Sequence, residues 1–532
     1  MLRLFATFAI LNALLLGLEI PRHGGFGPNW VALEALVLAG LFTLMPPGRW
    51  SRGLAGVAAS LLALLSLLAL ADGLARMSLG RSLNLYLDYP LIRSVYHLMA
   101  GSVSVPGAIA AGVALLLVVT GLALFVRWLL LSLPAPRSPI ALAAGVAMLA
   151  AGIAGTTAFH AGTALPSLPR AITPGATLVL DQLRFGRSAH SERREFEALL
   201  ADEPDAGRAT PLPGLDGIDV IIGFIESYGV SALFDDRYAR VVGKQLEAIE
   251  QDVAAAGLHM VSGTLNAPMF GGQSWLAHAS LLTGLRVRNQ MHYEFLLGTQ
   301  RASLVQDFQQ TGHRTLAVMP AITRPWPEGR WYGYDEIHEA SDIPYAGPEF
   351  NWVTMPDQFT WWHFEHSLRR GDDRPVFAKL ALISSHAPWV PILPVIEDWD
   401  QIGDGSVFLQ WEGEGETPES LWRNHDRVRE HYALSVAYAL ETAGRYAARF
   451  TDSETLLILV GDHQPAPLIT GADASPGVPV HVFSGAPELL EPFRDRGFVP
   501  GGRPPSEPTD AGMDRLRGWL QEAFGAPSPR ER

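Results

Sequence analysis

The apolar residues of this chain are spaced differently in its two halves. Long apolar runs occupy much of the first 160 residues, near 4–18, 30–45, 54–70, 109–131 and 140–158. The last three runs are long enough to cross the roughly 30 Å hydrocarbon layer of a bilayer as helices, and the first two reach that length only with their flanks. The pattern predicts a transmembrane domain over 1–160 with five spans. The first span is expected to be retained, because four more follow and no clear small-residue cleavage site occurs.

A shorter rhythm begins after a stretch rich in Pro, Ser, Arg and Glu at 161–215, which predicts a linker with one or two surface helices. Over 216–525 apolar runs of four to eight residues alternate with amphipathic stretches. The runs lie at 218–225, 259–261, 315–319, 376–383, 456–460 and 480–483, and the amphipathic stretches at 242–255, 304–310 and 428–450. This alternation is typical of an α/β domain with a mainly parallel sheet covered by helices on both faces. Residues 526–532 are expected to form a disordered tail.

Charge separates the halves in the same way. The first 160 residues hold four acidic residues and nine arginines, whereas the whole chain holds 54 acidic and 40 basic residues. The second half is therefore strongly acidic, which argues against nucleic acid as a partner. The chain has no cysteine, so disulfides and thiolate metal sites are excluded.

Membrane topology follows from the arginines between the predicted spans. With the N-terminus inside, five of the nine arginines fall on the cytoplasmic side, in the shorter loops where the positive-inside rule counts most. They are Arg3, Arg49, Arg52, Arg127 and Arg137. Five spans would then place the second domain outside. Lysine is nearly absent, a usage typical of GC-rich bacteria, so we expect a multi-pass protein of the bacterial inner (cytoplasmic) membrane with a periplasmic or extracellular catalytic domain.

The segment between the third and fourth predicted spans, 72–105, contains Tyr86, Tyr89, Tyr96 and several leucines. Two interpretations remain open for it. It could lie on the membrane surface as an interfacial segment, or it could be a packing loop between spans.

One stretch of the second half carries candidate chemistry. Ser274 follows Gly271-Gly272-Gln273 and opens an apolar segment with helical spacing. The glycines allow a tight turn, which would place the Ser274 hydroxyl at a helix N-terminus. Free N–H groups there favour an anionic phosphoryl or sulfuryl group and an activated serine nucleophile. An isolated serine in this position is more often a simple helix cap.

Polar residues also end several of the predicted strands. Glu226 ends the first run, His386 follows the run at 376–383, and Asp462 and His463 follow the run at 456–460. In parallel sheets, ligands bind beyond the carboxyl ends of the strands. Carboxylates, a histidine and a serine oxygen form a mixed N/O set that suits a divalent cation such as Zn or Mn. Each residue alone could equally be a capping or packing residue.

These residues resemble the alkaline phosphatase superfamily in its sulfatase-like branch, and the layout is similar to lipoteichoic acid synthases and membrane-anchored phosphoglycerol transferases. The resemblance implies one divalent metal ion, Mn or Zn with Mg possible, held by Glu226, Ser274, Asp462 and His463. It implies that Ser274 is the nucleophile and that His386 binds substrate or handles a proton. His481, in Val-Pro-Val-His-Val-Phe, resembles a further histidine near the site.

Departures from the sulfatase signature narrow the expected activity. Leu282-Thr283-Gly284 stands at the family spacing, but Ser274, Leu276 and His278 replace the signature Cys, Pro and Arg. Formylglycine maturation, and with it sulfatase activity, is therefore not expected. The resemblance gives threonine as the usual nucleophile of lipoteichoic acid synthases, where this chain has serine. The absence of cysteine favours phosphoglycerol-type relatives over the disulfide-rich phosphoethanolamine transferases.

Further substrate-binding candidates have less support. His278 lies one helical turn after Ser274, where a phosphate contact and a satisfied surface histidine are equally expected. Trp331 and Asp357 belong to a tryptophan-rich segment that lines the headgroup pocket in the relatives, although a loop packed on the domain is the default expectation. The other members of this segment are Arg324, Trp326, Arg330, Trp352, Trp361 and Trp362.

The leading hypothesis is a two-step phosphotransferase. It would move a phosphoglycerol-type headgroup from a membrane phospholipid donor, through a covalent serine intermediate, to an envelope glycan or lipid acceptor. An extracytoplasmic phosphodiesterase or phosphatase of the same superfamily is the first alternative. A non-catalytic lipid-binding regulator is the second, and the complete set of candidate ligands argues against it.

Overall fold

Two units make up the chain in the computed structural model. The first comprises Met1–Met77 and Arg81–Arg194, and the second comprises Ser78–Gly80 and Glu195–Arg532. The structure describes residues 2–25, 27–133, 138–163, 170–202, 207–471, 473–506 and 510–526. Arg137 and the tail predicted at 526–532, apart from Ala526, lie outside the described residues. The domain limits at 1–160, 161–215 and 216–525 stay predictions.

The described part of the first unit is helical, with one short pair of parallel strands, β1 (Val31–Ala32) and β2 (Ala171–Ile172). Its helices are α1 (Leu2–Leu16), α2 (Glu19–His23), α3 (Leu33–Leu44), α4 (Arg49–Leu79), α5 (Leu85–Asp88), α6 (Leu91–Val103), α7 (Val105–Leu131), α8 (Pro139–His160) and α9 (Pro174–Asp202), the last of which continues into the second unit.

Four helical segments of the described residues are long and apolar enough to cross a membrane: Leu2–His23, Arg49–Leu79, Val105–Leu131 and Pro139–His160. The predicted count of five is not confirmed. The second predicted span begins with the pairing of β1 and becomes helical only at Leu33, and α3 ends at Leu44, shortly before Pro46-Pro47. Its 12 residues extend about 18 Å, which is less than the hydrocarbon thickness.

Helix α3 instead packs closely on α8 through small residues. A Cβ on Gly40 would meet the Leu149 backbone nitrogen at 2.6 Å, and a Cβ on Gly152 would meet the Val37 backbone nitrogen at 2.9 Å. Small residues let apolar helices approach until their backbones touch. The apolar residues of α3 therefore pack against α8.

The segment at 72–105 forms α5 and α6 after the end of α4. Its apolar side chains are largely exposed, with Tyr89 at 67%, Ile92 at 72% and Val95 at 54%. Asp88, in contrast, is buried and paired with Arg81. The exposed apolar surface is compatible with the interfacial interpretation, and both interpretations stay predictions.

An eight-stranded sheet forms the centre of the second unit. Its strands are β3 (Asp219–Ile225), β4 (His259–Asn266), β5 (Arg314–Met319), β6 (Glu336–Glu339), β7 (Val376–Leu382), β8 (Thr455–Gly461), β9 (Gly477–Ser484) and β10 (Val499–Pro500). They lie in the order β10-β4-β9-β8-β3-β7-β5-β6. All six predicted apolar runs are strands of this sheet.

The sheet is mixed, so the predicted mainly parallel sheet is not confirmed. Strands β8, β3, β7, β5 and β6 run parallel to one another, whereas β9 pairs antiparallel with both β8 and β4, and β10 pairs antiparallel with β4. Parallel neighbours need a crossover, usually a helix. Among the described residues between β8 and β9 there is one helix, the four-residue Pro467–Thr470, and β9 returns beside β8 in the opposite direction.

Helices cover both faces of the sheet because alternate residues of each strand point to opposite sides. On β3, Ile221 and Ile225 face one core with the long helix His425–Phe450, and Ile222 and Phe224 face a second core. The helices of this unit are α10 (Ser231–Phe234), α11 (Asp236–Ala255), α12 (Ser274–Thr283), α13 (Gln290–Leu297), α14 (Leu304–Thr311), α15 (Gly329–Tyr332), α16 (Asp357–His363), α17 (Pro418–Leu421), α18 (His425–Phe450), α19 (Pro467–Thr470), α20 (Glu491–Arg494) and α21 (Arg515–Phe524).

Candidate active site

Strand register brings the predicted carboxylates together. In the parallel pair β3 and β8, Ile225 lies opposite Gly461, so the residues that follow, Glu226 and Asp462, leave the sheet side by side. On its other edge β3 pairs with β7, where Ile225 lies opposite Leu382. The loop after β7 therefore leaves from the same end of the sheet.

Ser274 is the first residue of α12, as the turn sequence predicts. The three residues before it all have positive φ, with values of 68° at Gly271, 142° at Gly272 and 68° at Gln273. A left-handed conformation at a non-glycine residue such as Gln273 stores strain, which is typical of functional sites. The turn aims the Ser274 hydroxyl at the strand ends, where Oγ lies 3.0 Å from Glu226 Oε2 and 3.3 Å from His463 Nε2.

Three ionisable side chains converge beside this hydroxyl. Possible ligand atoms of Glu226, Asp462 and His463 all lie within 4.8 Å of one another. His463 Nε2 is 3.3 Å from Glu226 Oε1 and 3.6 Å from Asp462 Oδ2. All three side chains are largely shielded from solvent, with exposures of 11%, 2% and 1% for Glu226, Asp462 and His463.

Hydrogen bonds outside the cluster fix the orientation of its members. The backbone N–H groups of Ser227 and His463 donate to Asp462 Oδ1, so Oδ2 faces the cluster. His463 Nδ1 lies 2.8 Å from the Gln464 carbonyl oxygen. Because a carbonyl can only accept, Nδ1 carries the proton, and Nε2 points to Ser274 and the carboxylates.

The cluster perturbs the pKa of each member. Burial raises the pKa of Asp462, and the neighbouring negative charge of Glu226 raises it further. Burial alone would lower the pKa of His463, but the two facing carboxylates outweigh it and raise the pKa to about 9. Burial would raise the pKa of Glu226, but the nearby histidines His463 and His386 lower it. Two buried carboxylates that share one histidine form a site with excess negative charge.

A divalent cation fits this set of residues. Two carboxylates, an imidazole nitrogen and a serine oxygen converge from three different elements, and they supply the N/O ligands that Zn and Mn accept. A cation would neutralise the carboxylate repulsion that raises the Asp462 pKa. The four residues that would hold it are Glu226, Ser274, Asp462 and His463.

His386 lies on the loop after β7 and is exposed. Its Nδ1 lies 2.5 Å from the Ala387 carbonyl oxygen, so Nδ1 donates and Nε2 remains available to a ligand. Its charge influences the pKa of Glu226.

His278 is not the surface histidine that one interpretation expected. It is 7% exposed, and its ring packs against Phe224 with ring centroids 4.0 Å apart. Burial, helped by the charge of Lys379, lowers its pKa well below the usual value. Its predicted contact with phosphate stays a prediction.

The structure does not support His481 as a substrate contact. The side chain is 1% exposed on β9. Its Nε2 lies 2.9 Å from Tyr228 Oη and its Nδ1 lies 2.7 Å from Ser262 Oγ. Both ring nitrogens are hydrogen-bonded inside the core, so neither can reach a ligand. The residues next to His481 in the sequence resemble those of the family but do not indicate whether the side chain is buried.

The contacts of Trp331 and Asp357 described here are made with residues outside the convergent cluster. Trp331 Nε1 donates to the Thr299 carbonyl at 3.0 Å, which is a packing contact. Asp357 is fully buried, and its Oδ1 accepts from the backbone N–H groups of Ile383 and Ser384 on the loop that leads to His386. Burial raises the pKa of Asp357 to about 7.

Two residues of the site were not predicted. Ser227 has a positive φ of 56°, and its hydroxyl donates to Glu226 Oε1 at 3.0 Å. Ser385 Oγ donates to the Glu226 carbonyl at 2.6 Å. Their adjacency to Glu226 and His386 in sequence was the available signal, but hydroxyl contacts across strands cannot be read from one chain.

Comparison with solved structures finds an integral membrane protein of similar fold. The chain is similar to lipooligosaccharide phosphoethanolamine transferase A from Neisseria meningitidis, an integral membrane protein, at 11% identity over 98% of this chain and 95% of that chain, with a TM-score of 0.50. The likeness shows a shared fold, in which apolar helices precede an α/β unit. This confirms the predicted resemblance at the level of the fold, including the apolar helices that precede the α/β unit.

Other solved structures of this fold align mainly with part of the chain. The lipoteichoic acid synthase LtaP from Listeria monocytogenes covers 62% of this chain with 75% of its own length, at 11% identity and a TM-score of 0.40. The phosphoglycerol transferase GacH from Streptococcus pyogenes covers 64% with 87% of its own length, at 14% identity and a TM-score of 0.38. No protein-family model matches the chain, and no curated protein matches its sequence.

Proposed function

We propose that this chain is a metal-dependent phosphotransferase of the membrane, which moves a phosphoglycerol-type headgroup from a phospholipid to an envelope glycan or lipid acceptor through a covalent intermediate on Ser274. The observation that carries the proposal is the position of the Ser274 hydroxyl. It stands at the start of a helix and within 3.3 Å of both Glu226 and His463. A serine so placed combines helix-terminal N–H groups with a cation site, the setting that an attacking alkoxide requires.

The first chemical step forms one bond and breaks one. Ser274 Oγ bonds to phosphorus while the phosphorus–oxygen bond to diacylglycerol breaks. A bound divalent cation would supply charge neutralisation for the attacking oxygen and the phosphoryl oxygens. The Ser274 proton passes to Glu226 Oε2, which accepts the hydrogen bond of its hydroxyl at 3.0 Å, and His386 donates a proton to the departing alkoxide.

The second step reverses the first with a different alcohol. The acceptor hydroxyl gives its proton to His386 and bonds to phosphorus, while the bond between Ser274 Oγ and phosphorus breaks and Glu226 returns the proton to Oγ. With water in place of the acceptor, the same residues would perform hydrolysis. Product analysis with and without a glycan acceptor separates transfer from the phosphodiesterase alternative.

The decisive experiment is intact mass of the full-length protein in detergent after incubation with phosphatidylglycerol and Mn or Zn. We expect a mass increase of one phosphoglycerol, which is absent in Ser274→Ala. Adduct formation by Ser274→Ala would refute the nucleophile. Metal binding without an adduct would favour another headgroup donor or rapid hydrolysis, and the absence of both would favour a binding role.

We propose that the second unit lies on the periplasmic or extracellular side, where envelope acceptors are found. The short cytoplasmic loops with Arg49, Arg52 and Arg127 support this side. The assignment requires α3 to count as a crossing despite its length. A reporter enzyme that is active only outside the cytoplasm should be active when it is fused after Ala158. Activity of a reporter that works only in the cytoplasm would contradict the assignment.

A further inference from the structure

A small cavity lies beside His386, between the loop after β7 and helix α18. Its volume is about 20 Å³, which is room for one water-sized group. Its lining includes the apolar residues Phe350, Val390 and Leu393 and the polar residues Ser384, His386, Ser435 and Tyr438. The cavity adjoins the candidate proton-transfer residue without being part of the cation cluster.

Tyr438 is unusual among the tyrosines of α18. It is 6% exposed and lines the cavity, and its Oη has no hydrogen-bond partner among the described residues. The backbone N–H of Gln358 faces this oxygen but does not reach hydrogen-bond geometry. On the same helix Tyr432 donates to the Ser227 carbonyl and Tyr446 donates to Glu365, each at 3.0 Å. A buried hydroxyl without a partner costs free energy, so its retention requires a reason.

Ser384 supplies a second hydroxyl to the cavity. Its Oγ accepts from the Asp357 backbone N–H at 2.8 Å, and its side chain also interacts with the Asp357 carboxyl group. Asp357 Oδ2 is buried and has no hydrogen-bond partner among the described residues. The lining of the cavity therefore combines the unpartnered Tyr438 hydroxyl with the Ser384 hydroxyl.

We propose that this cavity receives one neutral hydroxyl group of the substrate, held by Tyr438 Oη and Ser384 Oγ, and so selects polyol-type groups at the His386 side of the active site. The inference rests on the proposed phosphotransferase function. A volume of one water-sized group excludes a phosphate. The hydroxyl can belong to the headgroup of the donor or to the acceptor alcohol.

The test compares two synthetic donors on the full-length protein in detergent with Mn: glyceryl p-nitrophenyl phosphate and n-propyl p-nitrophenyl phosphate. If the cavity holds the donor headgroup, the wild type should prefer the glyceryl ester in kcat/KM by roughly tenfold, the worth of one well-placed hydrogen bond. Tyr438→Phe should lose that preference through slower turnover of the glyceryl ester alone.

A second arm addresses the acceptor. If the cavity holds the acceptor alcohol, Tyr438→Phe should hydrolyse both esters like the wild type. Its transfer to added glycerol, relative to transfer to 1-propanol, should fall roughly tenfold. Either result supports the cavity as a hydroxyl site and identifies the source of the hydroxyl.

Tyr446→Phe is the matched control, because it removes a partnered hydroxyl about 12 Å farther along the same helix. It should lower the thermal unfolding midpoint and leave both preferences unchanged. Tyr438→Phe should keep or raise the midpoint without substrate, since no protein hydrogen bond is lost.

Three outcomes count against the inference. Unchanged preferences in both arms would mean that the cavity holds a bound water only. A lower thermal unfolding midpoint in Tyr438→Phe would show that the Tyr438 hydroxyl is hydrogen-bonded within the unliganded protein. It would then not be free to hold a substrate hydroxyl. Turnover of neither ester by the wild type would refute the proposed function, and the inference would fall with it.

Discussion

Ser274 is the first residue of α12 and also the proposed nucleophile, and one substitution separates these two roles. Ser274→Ala should reduce turnover by at least about 10³-fold, because the covalent step needs the oxygen. The fold should persist, since the side chain is only partly buried. Steady-state release of p-nitrophenol from a phosphodiester measures the effect.

Ser280→Ala on the same helix is the control for this variant. Its buried hydroxyl donates to the Leu276 carbonyl and accepts from the Val287 N–H, so its loss should lower stability and spare turnover. Equal activity of Ser274→Ala and the wild type would contradict the assigned nucleophile.

Lys379 is a buried lysine in the middle of β7, with Met319 Sδ, Phe224 and Trp326 as its nearest groups. Burial lowers its pKa from 10.5 to about 7. Between these pH values the unfolded chain binds a proton that the folded chain does not, so this residue makes stability rise with pH from about 7 to 10.5. Below pH 7 the Lys379 amine is protonated in the folded state as well, so the full free-energy cost of burying its charge is present.

Lys379→Met should therefore raise the unfolding midpoint, by the equivalent of roughly 3 kcal/mol at pH 6 and much less at pH 10. Midpoints of both proteins across this range measure the difference. Lys244→Met changes the other lysine of the chain, which is exposed on α11, and should have no such pH dependence. A gap between wild type and Lys379→Met that does not narrow as pH rises would contradict the assigned cause.

At the scale of elements, the turn before α12 depends on glycine. Gly272 has a φ of 142°, and a Cβ there would meet no atom closer than 4.0 Å. Gly272→Ala should thus act through backbone strain of about 1–3 kcal/mol, which moves Ser274 and lowers kcat by about tenfold or more. Metal binding through the strand-end residues should change less.

Gly518→Ala serves as the comparison, because Gly518 lies inside α21 with open space around it. It should stabilise that helix slightly and leave kcat unchanged. If Gly272→Ala kept full kcat, the turn would not position the nucleophile.

At the scale of the whole molecule, the cation site joins β3, β8 and the start of α12. A chelator should lower the unfolding midpoint, and Mn or Zn should restore it, with a gain of about 2.7 kcal/mol when the ion is at about a hundred times its Kd. Asp462→Asn should lose most of this gain. A midpoint that is the same with chelator and with metal would contradict the cation site.

The sequence by itself determined the elements and most of the site chemistry. Apolar runs of four to eight residues became strands, and longer runs became four membrane-length helices, because apolar spacing reflects burial directly. The residues that end β3 and β8, together with the Gly-Gly turn before Ser274, identified the convergent cluster, since parallel strands present their carboxyl ends at one edge.

Only the tertiary structure decided how these elements pair and which side chains are enclosed. The reversal of β9 depends on a connection without a crossover helix, and the length of α3 depends on the pairing of β1 with a distant strand. Tertiary contacts also bury His481 and His278, and they leave the Tyr438 hydroxyl without a hydrogen-bond partner among the described residues. Burial and hydrogen bonding arise from contacts between residues far apart in the chain, which the order of residues does not show.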